Sequence, residues 1–490
     1  MLAFDRLPRA GLQLSERSYQ DIRDATRSDR YQIDVAQRHR RRSRLSQSHP
    51  IHSDREFDVT SALTLPSGSP LASSPPEPPP GAAPLPYDLD QLLALRTPDL
   101  VATRRHIHAH PELSGHEFAT AALIVAELSA AGLEPRLLPK GNGVVCDIGD
   151  RPTGPVIALR ADIDALPLTD AKDVPYRSTV DGVCHACGHD VHTTVLLGTG
   201  LLLARLAVQG GLDGRVRLIF QPAEETVPSG APEVIAAGGL TDVAEIYALH
   251  CAPQLAAGTV GVRSGPLTAA ADTIEVHLTG AGGHTARPHL TADLVYALGR
   301  VVVDVPGLLT RRMDPRSALS LVWGAVHAGT APNAIPSDGF VRGTVRTLSR
   351  DAWREAPALL PELVREVLVG TGAKADVRYS RGFPPVHNEE RATATISAAA
   401  ARVLGPDRVL PAEISMGSED FSFYLDHVPG AMIRLGTGDP DSNVRLDTHH
   451  PGFDVDERAI GYGVRVLTQT ALAALAGGRT AVPYDREADR

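Results

Sequence analysis

The sequence predicts an α/β fold: a central, mostly parallel sheet, with a second βαββαβ unit inserted late in the chain. Three patterns carry this expectation. Short apolar runs at 156–159, 216–220 and 246–249 each stop at a polar residue, as strands buried on both faces do. A long apolar stretch at 192–208 separates the first two, the length that a parallel crossover needs. From 270 to 381 the hydrophobic period switches repeatedly between two and about 3.6 residues.

Along the chain, 88–105 reads as helical with Pro98 as a point of interruption, and 117–131 as a second helix closed by Gly132. The three apolar runs follow, ending at Asp162 and Asp164, at Glu224 and Glu225, and at His250. In an open α/β sheet ligands sit beyond the carboxyl ends of the strands, so these residues should meet on one rim. The inserted unit reads as strand 272–279, helix 292–303, strands 317–327 and 339–348, helix 352–369 and strand 374–379. The first unit resumes near Gly382, with another strand at 431–435 and His449 in the loop beyond Gly436.

Length and composition bound the rest. A chain of 490 residues suits two domains plus a tail, and 43% hydrophobic with 22% charged residues is the usage of a soluble globular protein. A formal charge of −10 argues against a nucleic acid or an anionic membrane as partner. Four cysteines are too few for a disulfide framework, which points to a reducing cytoplasm. The run 195–208 is interrupted by Gly198, Gly200 and Arg205 and reads as a buried helix, short of the ~20 residues of a membrane span. Residues 1–86 differ in kind: a basic run from Arg38 to Arg44, then a Pro/Ser/Ala/Gly tract at 66–86 that cannot build a core. No apolar segment follows the arginines, so an export signal is not expected, and the segment reads as a disordered tail. The expected organisation is therefore tail 1–86, a first unit in two parts at 87–269 and 382–478, an inserted unit at 270–381, and a short tail at 479–490.

The chemistry concentrates in Cys184-His185-Ala186-Cys187-Gly188-His189-Asp190, with distant donors at Glu224, Glu225, His250, His449 and His450. Thiolate, imidazole and carboxylate are ligands of Zn²⁺, Mn²⁺ or Co²⁺, and such an ion with an open position acidifies a water into a nucleophile. Cys184 and Cys187 alone would also suit half of a structural zinc site or a redox pair. Cys146 and Cys251 are isolated and give no second pair, and the motif lies deep in an α/β chain, so hydrolysis is the leading expectation.

With these residues goes an ordered set of further motifs: Arg104-Arg105, His108-Ala109-His110-Pro111-Glu112-Leu113, Arg160-Ala161-Asp162-Ile163-Asp164, Gln221-Pro222-Ala223-Glu224-Glu225, Gly283-His284-Thr285-Ala286, Pro332-Asn333-Ala334-Ile335-Pro336, Gly417-Ser418-Glu419-Asp420-Phe421 and His449-His450-Pro451-Gly452-Phe453. From about 92 to 476 the chain resembles the amidohydrolase branch of the zinc-peptidase clan that also holds aminoacylases and glutamate carboxypeptidases. That branch includes hippurate hydrolase, N-acyl-amino-acid amidohydrolases and auxin-conjugate hydrolases.

The resemblance implies a zinc-peptidase-like catalytic domain with a ferredoxin-like satellite domain, and a homodimer or homotetramer. It implies two divalent ions per chain, Zn, Mn or Co, on Cys187, His189, Glu225, His250 and His449, with the Cys187 thiolate shared. It makes Glu224 the general base and Asp164 a group that orients a ligand, and it leaves Asp162 without a role. His284, from the satellite, would polarise the scissile carbonyl, and Asn333 and Arg346 would hold the carboxylate of the amino-acid half. Neighbouring side chains point to opposite sides of extended backbone, so a turn after Pro222 is needed to aim both Glu224 and Glu225. The implied reaction splits an N-acyl-amino acid into carboxylate and free amino acid. A dipeptidase or an N-acetyl-diaminopimelate-type deacetylase is the alternative substrate reading, and a non-catalytic binding protein the alternative class.

Overall fold

Four apolar segments of this chain become the parallel heart of one sheet because both of their faces are covered. The computed structural model describes residues 85, 86, 88–149 and 154–478, so the expected tails at 1–86 and 479–490 lie almost wholly outside the described residues. Packing begins at Leu85, which is buried and whose N–H donates to Asp90 Oδ2 at 2.7 Å. The main sheet has eight strands in the order Arg136–Leu137, Val144–Ile148, Arg215–Gln221, Val156–Asp162, Val243–Ala256, Gly430–Gly438, Val260–Val262 and Val409–Pro411. The third to sixth of these run parallel, and antiparallel pairs flank them.

One face of the sheet packs on the long helices Leu89–Ala109, His189–Val208, Glu390–Leu404 and Arg458–Ala476, and the other on the short Ala231–Ala236 and Phe421–Tyr424. His189–Val208 and Arg458–Ala476 are long and apolar enough to cross a membrane by length and composition, but their apolar sides are buried in this core.

Some boundaries differ from the sequence reading for identifiable reasons. Leu89–Ala109 is one helix, not two pieces, because Leu89, Leu93, Leu100, Arg104 and Ile107 form a continuous buried stripe through Pro98. In the same way Val301, Val305 and Leu309 carry the satellite helix past Pro306, so it spans Leu294–Arg312. His250 does not end its strand; Val243–Ala256 runs six residues beyond it, because Gly430–Gly438 pairs alongside as far as Ala256.

Residues 270–383 form a second, antiparallel sheet in the order Ser320–Ala328, Asp338–Thr347, Ala270–Thr279 and Lys374–Phe383. Leu294–Arg312 and Arg350–Val367 cover one face of it and close a separate core around Ile274, Leu298, Val341, Leu360 and Leu363. The chain enters and leaves through neighbouring strands. Asp272, buried beside the crossing, accepts hydrogen bonds from Gly382 N, Trp353 Nε1 and Tyr379 OH at 2.6–3.0 Å.

Candidate metal and catalytic centre

The rim is built from the carboxyl ends of Val156–Asp162 and Arg215–Gln221, the middle of the adjacent strand Val243–Ala256 and the first turn of a helix. Gly188 adopts φ 95°, a left-handed conformation that costs glycine little, and so turns the Cys187 loop directly into the His189–Val208 helix. The helix thus starts at His189, three residues earlier than its apolar spacing suggests, and His189 projects from its first turn. Asp162 closes the strand Val156–Asp162. Arg160 lies opposite Ala248 in the adjacent strand, which brings His250 level with Asp162.

These elements gather the donors into two groups that share Cys187. Cys187, His189 and His250 form one, and Cys187, Glu225 and His449 the other, with the ligand atoms of each within 4.8 Å of one another. Cys187 Sγ lies 3.5 Å from His250 Nε2, and Glu225 Oε1 lies 3.1 Å from His449 Nε2. The rings are fixed from behind. His250 Nδ1 sits 2.8 Å from the Cys251 carbonyl, and His189 Nδ1 lies 2.9 Å from the Asp164 carbonyl and 3.0 Å from Asp164 Oδ1, so both Nε2 atoms face the cluster. The other Asp164 oxygen accepts from Ser114 Oγ at 2.6 Å and from Glu225 N at 3.0 Å, and so ties the two halves of the site together.

Two properties of this cluster suit a cation. His189 Nε2 is buried without a hydrogen-bond partner, a costly state for an imidazole nitrogen unless a ligand takes it. Burial also pushes the Cys187 thiol well up, so only a positive charge at the sulfur would make it a thiolate. The mixture of thiolate, imidazole and carboxylate fits a divalent transition ion.

The turn demanded by adjacent glutamates is present. Ala223 has φ 54°, and its N–H donates to Glu117 Oε1 at 2.8 Å, which breaks the strand and directs both Glu224 and Glu225 to the rim. Glu224 and Glu225 each bring an oxygen near His189, yet only Glu225 joins a triad containing Cys187. Glu224 instead stands beside Glu419 and Asp420. Its carboxyl is held well above the usual range by burial and by Glu419, Glu225 and Asp420.

His449 takes a strained φ of 65°, and its N–H donates to Ala186 O at 2.7 Å, which holds its ring against Glu225. The His450 ring accepts from Gly452 N at 3.0 Å and stands outside the cluster.

The satellite residues lie elsewhere. His284 and Asn333 are exposed neighbours on a two-stranded ribbon, where His284 pairs with Ala334 and its Nδ1 accepts from Ala286 N at 3.0 Å. Arg346 donates to the Met416 carbonyl of the first unit. Among the described residues, no hydrogen bond or ion pair joins these three to the Cys187 cluster.

Several residues have roles that were not evident in the sequence. His192 Nδ1 lies 2.5 Å from Asp162 Oδ1, and its Nε2 accepts from Cys251 N at 2.8 Å, so both nitrogens are used internally. Asp162 also accepts from Arg160 Nη1 at 2.6 Å, which gives it a structural task. Asp190 takes Arg104 Nε at 2.7 Å and His108 Nδ1 at 2.6 Å, and so pins the start of the His189 helix to Leu89–Ala109. Glu117, buried, has its carboxyl pushed up to about 7 by burial, although Asn142 Nδ2 and Gly115 N also donate to it. Arg104, His108, Arg160, Asp162 and Asp190 stand in the motifs quoted above, but a motif does not say which of them bond to one another.

Residues 158–473 match the model of peptidase family M20/M25/M40. The chain belongs to this family. An N-acetyl-L-cysteine deacetylase of Bacillus subtilis strain 168 is 38% identical over 361 residues, 74% of this chain and 84% of that protein. A Rhodococcus jostii RHA1 protein, provisionally named glutamate–cysteine ligase 2-3, is 46% identical over 368 residues, and this chain spans less than half of it, 46%. Among solved structures, the Bacillus subtilis YxeP protein, described as a dinuclear metal-binding peptidase from the M20 family, superposes with TM-score 0.68 at 35% identity, over 78% of this chain and 99% of that one.

Proposed function

We propose that this M20 chain is a metal-dependent amidohydrolase that cleaves the amide bond of N-acyl-amino acids to a carboxylate and a free amino acid. The observation that carries the reading is the pair of donor triads sharing Cys187, with Glu224 beside them and outside both. Each triad would hold one divalent ion, Zn, Mn or Co, and the ions would acidify a water and polarise the carbonyl. Glu224 would take the proton from the attacking water and pass it to the leaving nitrogen, since its neighbour Glu225 is committed to a triad. Asp164 would keep His189 in the tautomer whose Nε2 is open. Two named relatives support the choice of bond: the deacetylase acts on an N-acetyl-amino acid, and YxeP is described as a dinuclear peptidase. A dipeptide or N-acetyl-diaminopimelate-type substrate would use the same residues.

The test is a hydrolysis screen of acetyl, benzoyl and indole-acetyl amino acids, N-acetyl-cysteine included, on protein reconstituted with each ion. Release of the free amino acid, lost in chelator and restored by metal, is expected. Full activity in chelator with no metal bound would refute the reading.

His284 would stabilise the developing oxyanion, with Asn333 and Arg346 at the substrate carboxylate. We propose further that His284, exposed on its ribbon, reaches the site of a second copy in a homodimer or homotetramer, and that the enzyme is cytoplasmic. His284→Ala is then expected to lower kcat by ~10²–10³-fold with metal content unchanged. Mixing inactive His284→Ala with inactive Glu224→Gln protein would restore part of the activity. No recovery despite proven subunit exchange would confine His284 to its own chain.

A further inference from the structure

Among the described residues the buried arginines come with acids, whereas half-buried Arg434 does not. Arg104 has Asp190 at 2.7 Å, Arg160 has Asp162 and Asp420 at 2.6 Å, Arg217 has Asp147 at 2.7 Å, and Arg465 has Asp90 at 2.7 Å. Arg434, in the middle of the strand Gly430–Gly438, is half-buried, and among the described residues it makes no hydrogen bond or salt bridge. Its surroundings lower its pKa through burial, against the pull of Glu419 and Cys187. Its guanidinium offers five donors with no protein acceptor, and none of its nitrogens is sealed from solvent, so a ligand entering beside it can take them.

Its position says where that ligand would lie. Arg434 pairs with His250 in the parallel register. Met432 and Ala248, two residues earlier on each strand, both face the core on the short-helix side of the sheet. Alternation therefore puts the Arg434 and His250 side chains next to each other on that same face. His250 Nε2 is the atom 3.5 Å from Cys187 Sγ, so the guanidinium flanks the metal cluster on its His250 side. Glu419, the acid whose charge acts on Arg434, is already bonded to Arg160 Nη2 at 3.2 Å and to Phe421 N at 3.0 Å. The apolar neighbours Met432, Ile433 and Leu435 leave Arg434 as the one charged side chain of its strand.

We propose that Arg434 is a specificity-determining residue that binds a carboxylate of the substrate on the His250 side of the metal cluster, and that the enzyme selects N-acyl-amino acids through it. This rests on the amidohydrolase reading above and adds a recognition residue in the catalytic unit to the satellite candidates Asn333 and Arg346. A guanidinium fork suits a carboxylate because it makes two parallel charge-assisted bonds. That carboxylate is either the one on the amino-acid half or an acidic end of the acyl half.

Three probes separate these sources: N-acetylglycine, acidic on the amino-acid side; N-succinylglycinamide, acidic on the acyl side; and N-acetylglycinamide, with no acid. Calorimetric binding to metal-loaded full-length Glu224→Gln protein reads recognition without turnover, and kcat/KM of the Glu224 enzyme reads the reaction. Arg434→Met is expected to weaken binding of one acidic probe by roughly 10–100-fold, the worth of a charged hydrogen-bond pair, and to leave N-acetylglycinamide and the metal content unchanged. The probe that responds names the half of the substrate concerned. Arg434→Lys should recover part of the loss. An equal loss on the neutral probe, or no loss on either acidic one, overturns the proposal. Should Arg434→Met fail to fold, Arg434→Gln keeps a polar side chain of similar reach and reads the same contrast. Carboxylate-dependent binding in a protein that hydrolyses none of the probes would leave Arg434 standing and remove the amidohydrolase reading instead.

Discussion

Glu224→Gln is expected to lower kcat by roughly 10²–10⁴-fold while the protein still binds its metal, because the amide keeps the shape of the side chain but cannot accept a proton. The prediction rests on a division of labour between adjacent residues. Glu225 joins Cys187 and His449 in a triad, and Glu224 does not, although the turn at Ala223 brings both to the rim. Glu224 is buried against Glu419, Glu225 and Asp420, which hold its carboxyl well above the usual range and make it a strong proton acceptor once ionised. Single-turnover rates with metal stoichiometry by atomic emission would separate the base from a ligand. Near-normal kcat would place the base elsewhere, and loss of metal would make Glu224 a ligand.

The same region shows what a linear reading can reach. The gathering of residues 187, 189, 225, 250 and 449 was legible only in part: His189 opens a helix and Glu225 follows a strand, and those elements have local signatures. The turn after Pro222 was legible because two adjacent glutamates cannot otherwise face one site. Pro98 misled, and the satellite helix runs on past Pro306, because buried stripes on either side of each proline outweigh one missing hydrogen bond, and those stripes depend on tertiary contacts. His250 sits inside its strand because a partner from 430–438 extends the pairing, a contact between segments about 180 residues apart. The roles of His192, Asp162 and Asp190 were out of reach for a related reason. A buried carboxylate is defined by which cation or ring meets it, and Arg104 reaches Asp190 across 86 positions of sequence. Arg434 carries no sequence signal at all, since an arginine on a strand is most often solvated.

Cys187 is where the largest loss is expected. Its sulfur is the one donor common to both triads, so Cys187→Ala removes a ligand from each ion at once, whereas His449→Ala removes a ligand from one. Metal content should fall from about two ions per chain toward none in Cys187→Ala and toward one in His449→Ala, since the three-donor groups have little to spare. Activity should drop well beyond the ~10–100-fold that loss of an outer partner of a ligand costs. The fold itself should persist, because Asp164, Asp190 and Gly188 set the local backbone without the sulfur. Cys187→Asp offers the sharper test: an aspartate has two oxygens with which to span a pair of ions, and it should recover metal that alanine loses. If Cys187→Ala kept both ions, the thiol would not be shared, and if it kept one, Cys187 would belong to a single triad and the second ion would rest on His189, Glu225 and their neighbours.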